Sequence, residues 1–335
     1  MLKRLGFLFL FVMIAAAGSA WWMSQRMSTP YKGFDGDEVF VEIPRGTTVS
    51  GIGQRLADAG VVPDALTFRV AVQMSGAGLG LQAGEYRFAE PAPPYDVVAR
   101  IARGDVFVRP ITFREGLTIK EMAPIFEKSG LGTAAEFERA AADGSLIAAI
   151  DPEARNLEGY LFPETYALPR NAGAAGAVRA MVEGFEKAFD AELRAAATAQ
   201  QMSPREVITL ASIVEKETGQ SSERAQVAAV YRNRLKIGMP LQCDPTVIYA
   251  LMLARRWNGN LTRQNMQIDS PYNTYRYAGL PPGPIASPGR ASIEATLHPA
   301  DVPYLYFVGK GDGTHAFATT LAEHNANVLR YQIRR

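Results

Sequence analysis

"VFVEIPRGTTVSGIGQRLADAGVV", residues 39–62, changes its hydrophobic period part-way. Val39, Val41 and Ile43 follow the two-residue period of a half-buried strand. Gly46 turns the chain, and Thr48 stands where a helix N-cap belongs. Ile52, Leu56 and Ala59 then share one helical face, and Gly60 ends the helix. About seventy residues later the pattern returns in "ITFREGLTIKEMAPIFEKSGL", residues 111–131. Ile111 and Phe113 alternate, Gly116 turns, Thr118 caps, Met122 and Phe126 face inward, and Gly130 stops the helix. The expectation is a weak internal repeat of strand–turn–helix units.

Between the copies, Gly84–Phe88 reads as a strand, followed by a Pro-rich turn and a short helix. Residues 134–197 are mostly helical and Ala-rich, broken by "NLEGYLFPETYALP" at 156–169. From Pro204, helices alternate with Gly/Pro-rich loops up to a final strand in "PYLYFVG", 303–309. Short strands mixed with separate helices predict an α+β fold, not a regular parallel sheet. The first repeat copy loosely resembles the LysM-type wall-binding unit. The expected division is a LysM-like domain at 39–105, a second strand–helix unit at 106–150 and a catalytic domain at 151–335.

The N-terminus predicts a membrane anchor. After the stub at 1–4, Leu5 to Met23 is an uncharged stretch of 19 residues. At about 1.5 Å per residue it reaches roughly 28 Å, close to the hydrocarbon thickness of a bilayer. Lys3 and Arg4 precede it, and Trp21 and Trp22 stand at its far end. This order keeps the N-terminus cytoplasmic, spans the inner membrane once and leaves the body periplasmic, after a polar tether at 24–38. The competing readings are a cleaved signal peptide, because "AGSA" resembles a cleavage site, and a buried soluble helix.

A chain of 335 residues, 47% hydrophobic and 21% charged, is long enough for two or three folded units. Its net charge of +1 offers no field for nucleic acid. The single cysteine, Cys243, excludes both an intrachain disulfide framework and a CxxC zinc site.

Chemistry is expected at the end of the helix that carries "TLASIVEKET", 209–218. Ser203, Pro204 and Glu206 form its start signal. Val207, Leu210, Ala211, Ile213 and Val214 define its apolar face. Glu217 projects from that face, Glu215 lies near its edge and Lys216 points away. An inward-facing acid at the C-terminal end is poorly placed for the helix dipole and loses solvation, so its pKa rises. A carboxyl kept protonated near neutral pH suits a general acid. The structural alternative pairs both glutamates with Arg224 or Arg232.

Downstream, Gln242 and Asp244 precede a helix, with Asp244 read as its N-cap. Pro271–Gly289 holds three tyrosines, one asparagine, five prolines and three glycines. It is stiff and non-helical. Tyr272, Asn273 and Tyr275 suit a sugar, by ring stacking and amide hydrogen bonds, unless the loop only covers a core edge. His315, Thr319, His324 and Asn325 do not match the HExxH spacing of a metal site, and neither a GxSxG nor a phosphate loop is present. No metal or cofactor is expected.

Taken in order, "LEGYLFPETY", "ASIVEKET", "RLKIGMPLQCDPTVIY", "YNTY", "GLPPGPIASPG", "HPA…PYLYFV" and "HAFATTLAEHN" resemble the endolytic murein transglycosylases of the MltG/YceG-like family. The resemblance runs from the N-terminal span to about Tyr331. It implies an inner-membrane lyase that cuts nascent glycan strands between N-acetylmuramic acid and N-acetylglucosamine, leaves a 1,6-anhydro end and terminates strand elongation. It implies Glu217 as the catalytic acid. The substrate contacts expected from both lines of reasoning are Gln242, Asp244, Tyr272, Asn273, Tyr275, His315, Glu164 and Tyr160. Two departures stand out: Glu164 where the family often has Asp, and Cys243 where it has a small hydroxyl residue, which makes the thiol an unexpected actor. Expected partners are glycan strands and the inner membrane, with peptidoglycan synthases as further candidates and no nucleic acid. Two rival readings remain, a non-enzymatic wall-binding scaffold and a hydrolase in which Glu215, Asp244 or Glu158 is a second acid.

Overall fold

The computed structural model describes residues 2–77 and 80–333. It divides into two compact units. The first takes residues 1–109 together with 167–171, and the second takes 110–166 and 172–335.

In the first unit, α1 (Leu2–Ser28) precedes β1 (Val39–Ile43), α2 (Val49–Asp58), α3 (Ala65–Ser75), β2 (Gly84–Phe88) and α4 (Pro94–Arg103). β1 and β2 pair antiparallel, with Val39 opposite Phe88 and Ile43 opposite Gly84. The alternation read from 39–43 holds, since Val41 and Ile43 are buried and Phe40 and Glu42 are exposed. With Leu56, Phe68, Tyr86 and Ile101 they form the core of this unit. Glu85 is buried at the sheet and held by Arg109 at 2.5 Å and Arg170 at 3.2 Å, which ties the inserted segment 167–171 into the unit.

Residues 24–38 are more ordered than a polar tether. α1 continues to Ser28, Met27 is fully buried in the core and Arg26 meets Asp64 at 2.5 Å. Tyr31 then bridges Ala92. Burying one methionine and pairing one arginine is enough to carry the helix past the point where its composition turns polar. Among the described residues no helix is long and apolar enough to cross a membrane. The expected span at 5–23 includes Leu5, Gly6 and Leu8, whose side chains lie outside that description.

The repeat recurs as local geometry. Thr48 caps α2 by accepting from the Gly51 N–H at 3.2 Å. Thr118 caps α5 (Ile119–Lys128) in a full capping box with Glu121. Gly60 and Gly130 follow the two helices at φ of 69° and 74°, a left-handed conformation that glycine adopts without strain.

β3 (Val108–Thr112) and β4 (Thr165–Pro169) pair as a two-stranded ladder. The second unit then assembles α5, α6 (Ala134–Ala141), α7 (Gly173–Ala188), α8 (Ala191–Ala199), α9 (Pro204–Glu217), α10 (Arg224–Lys236), α11 (Asp244–Leu253) and α12 (Arg290–Leu297). It closes with the hairpin β5 (Tyr306–Gly309) and β6 (His315–Ala318), followed by α13 (Leu321–Val328). The strand expected in "PYLYFVG" is β5. Its partner β6 lies beyond the strand expected to be the last, because four residues are too few to establish a period.

α9 is more central than an amphipathic helix. Every residue from Val207 to Val214 is buried, including Thr209 and Ser212 on the side away from the apolar face. α8, α10, α11 and α12 all pack on it. Ser212 donates to the Thr209 carbonyl at 2.7 Å and accepts from the Ile285 N–H at 3.0 Å, so a polar side chain in the core anchors the Pro-rich loop.

Candidate active site

The last three residues of α9 reach three different places. Glu215 Oε2 accepts from the Gly289 N–H at 3.0 Å and from the Ser292 hydroxyl at 2.7 Å, at the start of α12. Its other oxygen lies 3.8 Å from Arg224. Lys216 Nζ donates to the Gly116 carbonyl at 3.0 Å. Glu217 turns into a cavity of about 440 Å3. The arginine pairing weighed for both glutamates therefore holds for Glu215 alone. Glu215 does the work of a helix cap, because its carboxylate at the positive end of α12 satisfies the Gly289 backbone N–H.

Glu217 Oε1 accepts from the Cys243 thiol at 3.0 Å, and the Tyr231 hydroxyl also bonds to this carboxyl. Burial pushes its pKa above the ordinary 4.5, and the nearby Asp244 charge adds to the rise. The Cys243 and Tyr231 hydrogen bonds and His315 oppose it without reversing it. Both donors are buried, and burial raises the Cys243 thiol and the Tyr231 phenol well above their ordinary ranges. They remain protonated and available to donate.

The segment 241–244 explains how a thiol reaches the acid. Leu241 and Cys243 point inward, whereas Gln242 and Asp244 point out to the cavity. Gln242 takes a left-handed φ of 50°, an uncommon conformation for a side-chain-bearing residue and one that gathers at functional sites. Cys243, not Asp244, is the N-cap residue of α11, with φ −105° and ψ 115°. Asp244 is the first helical residue, so its carboxylate is free of capping duty and accepts from the Tyr275 hydroxyl at 2.7 Å.

His315 lies across the cavity at the start of β6. Its Nδ1 meets Glu223 Oε2 at 2.7 Å while its backbone N–H donates to Glu223 Oε1 at 3.0 Å. Two bonds to one carboxylate fix both the ring and the strand that carries it. Tyr306, Phe307 and His324 complete the wall with Arg234.

Of the expected substrate contacts, the structure brings Gln242, Asp244, Tyr275 and His315 into the cavity with Glu217. It does not bring the other four. Asn273 is fully buried, and its amide donates to the Met266 and Ile268 carbonyls at 2.9 Å while its oxygen accepts from the Tyr275 N–H. A loop without regular backbone pairing needs such a side chain to satisfy its buried carbonyls. Tyr272 packs on Tyr249, with ring centroids 4.9 Å apart. Tyr160 is buried and donates to Asp151 at 2.5 Å, in a network with Arg205. Glu164 is exposed and absent from the cavity wall. Glu158 is buried beside a separate cavity of about 300 Å3, where it accepts from the Ile119 N–H and the Tyr249 hydroxyl. Burial pushes it from 4.5 up to about 7.

Sequence reasoning missed Tyr231, Arg234, Glu223 and the role of Cys243. An aromatic and an arginine inside an ordinary helix carry no signal of their own. For Cys243 the alternation of 241–244 was the available clue.

Residues 41–330 match the YceG-like family. The chain belongs to that family. This YceG-like chain is 30% identical over 333 residues to an endolytic murein transglycosylase of Bacillus subtilis (strain 168), covering 94% of this chain and 90% of that one. A Streptococcus pneumoniae (serotype 2, strain D39) endolytic murein transglycosylase is 29% identical over 324 residues, covering 88% of this chain but 58% of the longer pneumococcal protein. A crystal structure of a YceG-like protein from Listeria monocytogenes is 31% identical, with a TM-score of 0.59 over 87% of this chain and 98% of that one.

Proposed function

We propose that this YceG-like chain is an endolytic peptidoglycan lytic transglycosylase, a lyase, with Glu217 as its catalytic acid and base. The observation that carries the reading is one desolvated carboxyl, fed by two buried donors, at the wall of a cavity lined by aromatic and polar side chains. Relatives named endolytic murein transglycosylases supply the substrate class.

The protonated Glu217 gives its proton to the glycosidic oxygen between N-acetylmuramic acid and N-acetylglucosamine. The bond from the muramyl C1 to that oxygen breaks, and the electron pair leaves with the oxygen. The Glu217 carboxylate, held by Cys243 and Tyr231, then takes the proton of the muramyl 6-hydroxyl. The 6-oxygen bonds to C1 and closes the 1,6-anhydro ring. The proton is restored to Glu217, and no water is consumed. One carboxyl suffices, because an intramolecular nucleophile has an effective molarity far above that of any free reactant. Gln242, Asp244, Tyr275 and His315 are the substrate contacts in this scheme.

Asp244 in the same cavity favours a second reading, in which it activates water as the base of a two-carboxylate hydrolase. The products separate the two. Glycan strands digested by the full chain and analysed by mass spectrometry should show new anhydro ends, one water lighter than hydrolysed ends, on fragments several disaccharides long. Reducing muramic ends would establish the hydrolase, and terminal disaccharides alone would establish an exo-acting enzyme.

We infer that α1 is an uncleaved single-pass inner-membrane anchor, with Lys3 and Arg4 cytoplasmic, Trp21 and Trp22 at the far interface and both units periplasmic. Phe7, Phe9, Phe11 and Ile14 are all exposed on this helix, which water alone would not favour. The first unit then acts as a LysM-like strand holder, and cleavage at the membrane surface terminates strands as synthases extend them. The chain should sediment with membranes and be released by detergent, not salt. A mature N-terminus at Trp21 would replace the anchor with a cleaved leader.

A further inference from the structure

Arg234 is a cation that the reaction above does not use. It is buried to 7% exposure on α10, at the wall of the Glu217 cavity. Its Nε donates to the Leu305 carbonyl at 2.7 Å and its Nη1 to the Leu241 carbonyl at 2.6 Å. Its guanidinium carbon lies 5.4 Å from the centre of the Tyr306 ring. A guanidinium has five N–H donors, and the two bonds to backbone leave the Nη2 amine without an acceptor among the described residues. No carboxylate forms an ion pair with Arg234 among the described residues. The other ionisable side chains at the Glu217 end of the cavity are engaged: Asp244 by Tyr275, His315 by Glu223 and Glu217 by Cys243 and Tyr231.

A second atom on this wall is also unsatisfied. The His324 ring stacks on Tyr306 at 5.3 Å, and its Nδ1 is buried with no hydrogen-bond partner. An unpaired buried cation is costly, and a neighbouring buried nitrogen without a partner adds to that cost. The cost at Arg234 falls when an anion with more than one oxygen enters the cavity. Sugar hydroxyls and acetamido groups are neutral. The anions of a glycan strand are carboxylates carried on the muramyl residues, either the lactyl carboxylate where no peptide is attached or the carboxylates of the stem peptide where one is.

We infer that Arg234, with His324 beside it, forms a carboxylate subsite that reads the muramyl substituent of the strand being cut. This rests on the transglycosylase reading, and it makes Arg234 a specificity-determining residue instead of only a brace between α10 and β5.

The test uses the full chain in detergent with four substrates: peptide-free strands, peptide-bearing strands, and each of these with its carboxylates converted to amides. A hydrogen bond to a charged group contributes about 1.5–3 kcal/mol, so wild-type KM should rise about 10- to 100-fold on amidation while kcat changes little. Arg234→Lys keeps the charge and loses the fork, and should raise KM on the carboxylate strands by about tenfold. Amidation should then add little further. Loss confined to peptide-free strands assigns the subsite to the lactyl carboxylate, and loss confined to peptide-bearing strands assigns it to the stem. Unchanged wild-type KM on amidated strands overturns the inference, whether or not Arg234→Lys folds. So does an equal amidation effect in wild type and variant. Cleavage of any strand by the wild type keeps the transglycosylase reading separate from this result.

Discussion

Replacing Glu217 with glutamine should lower the rate of strand cleavage by about two to four orders of magnitude, the range for loss of a general acid–base group. The amide retains the shape of the acid and cannot deliver its proton. Thermal unfolding should not move downward. Desolvation raises the Glu217 pKa, so folding favours its protonated form, and the fold loses stability as pH rises from the ordinary carboxylate value through the raised one. Glutamine lacks that charge, so the variant should match or exceed the wild type in alkaline solution. In the wild type, kcat/KM should fall as pH rises through the same raised value, because the first step needs the proton. Single-turnover cleavage of strands and a denaturation curve at two pH values measure both effects. Wild-type activity in Glu217→Gln would remove the acid from this position.

Glu215→Ala, two residues away, should produce the reverse pattern. Its side chain is 8% exposed and joins Gly289, Ser292 and Arg224. Removing it strands the Gly289 N–H and the Ser292 hydroxyl, and it leaves Arg224, whose Nε already lacks a partner, without its carboxylate. Breaking a buried pair in this way costs about 3–5 kcal/mol. Calorimetry should show a lower melting temperature, with α12 and the loop before it losing protection against hydrogen exchange first. Below that temperature the remaining folded enzyme should cleave strands far faster than Glu217→Gln. A stable Glu215→Ala protein with catalysis reduced as far as in Glu217→Gln would mean that Glu215 takes part in the chemistry.

The two glutamates mark where reading of the sequence stops. Their spacing on α9 places Glu217 on the apolar face and Glu215 at its edge, and local helix geometry alone determines that. The sequence likewise determines the caps at Thr48, Thr118 and Ser203, because a cap is a bond between residues three apart. It determines the alternation of β1, the non-helical loop at 271–289 and the membership implied by motifs in fixed order. Each of these is set by neighbours within a few positions or by the order of the chain.

What only the tertiary structure decided depends on residues far apart in sequence. Glu215 caps a helix that begins 75 residues later, at Arg290. Cys243 meets Glu217 across 26 residues, and Glu223 holds His315 across 92. Asn273 turns inward instead of toward sugar because the loop carbonyls at Met266 and Ile268 need donors there. Arg234 and Tyr231 look like ordinary positions of a basic helix until the hairpin of β5 and β6 closes over them. A carboxyl, a thiol or a guanidinium has the same formula in water and in a wall. Burial and the partner that packing supplies decide whether it braces the fold, donates a proton or waits for an anion.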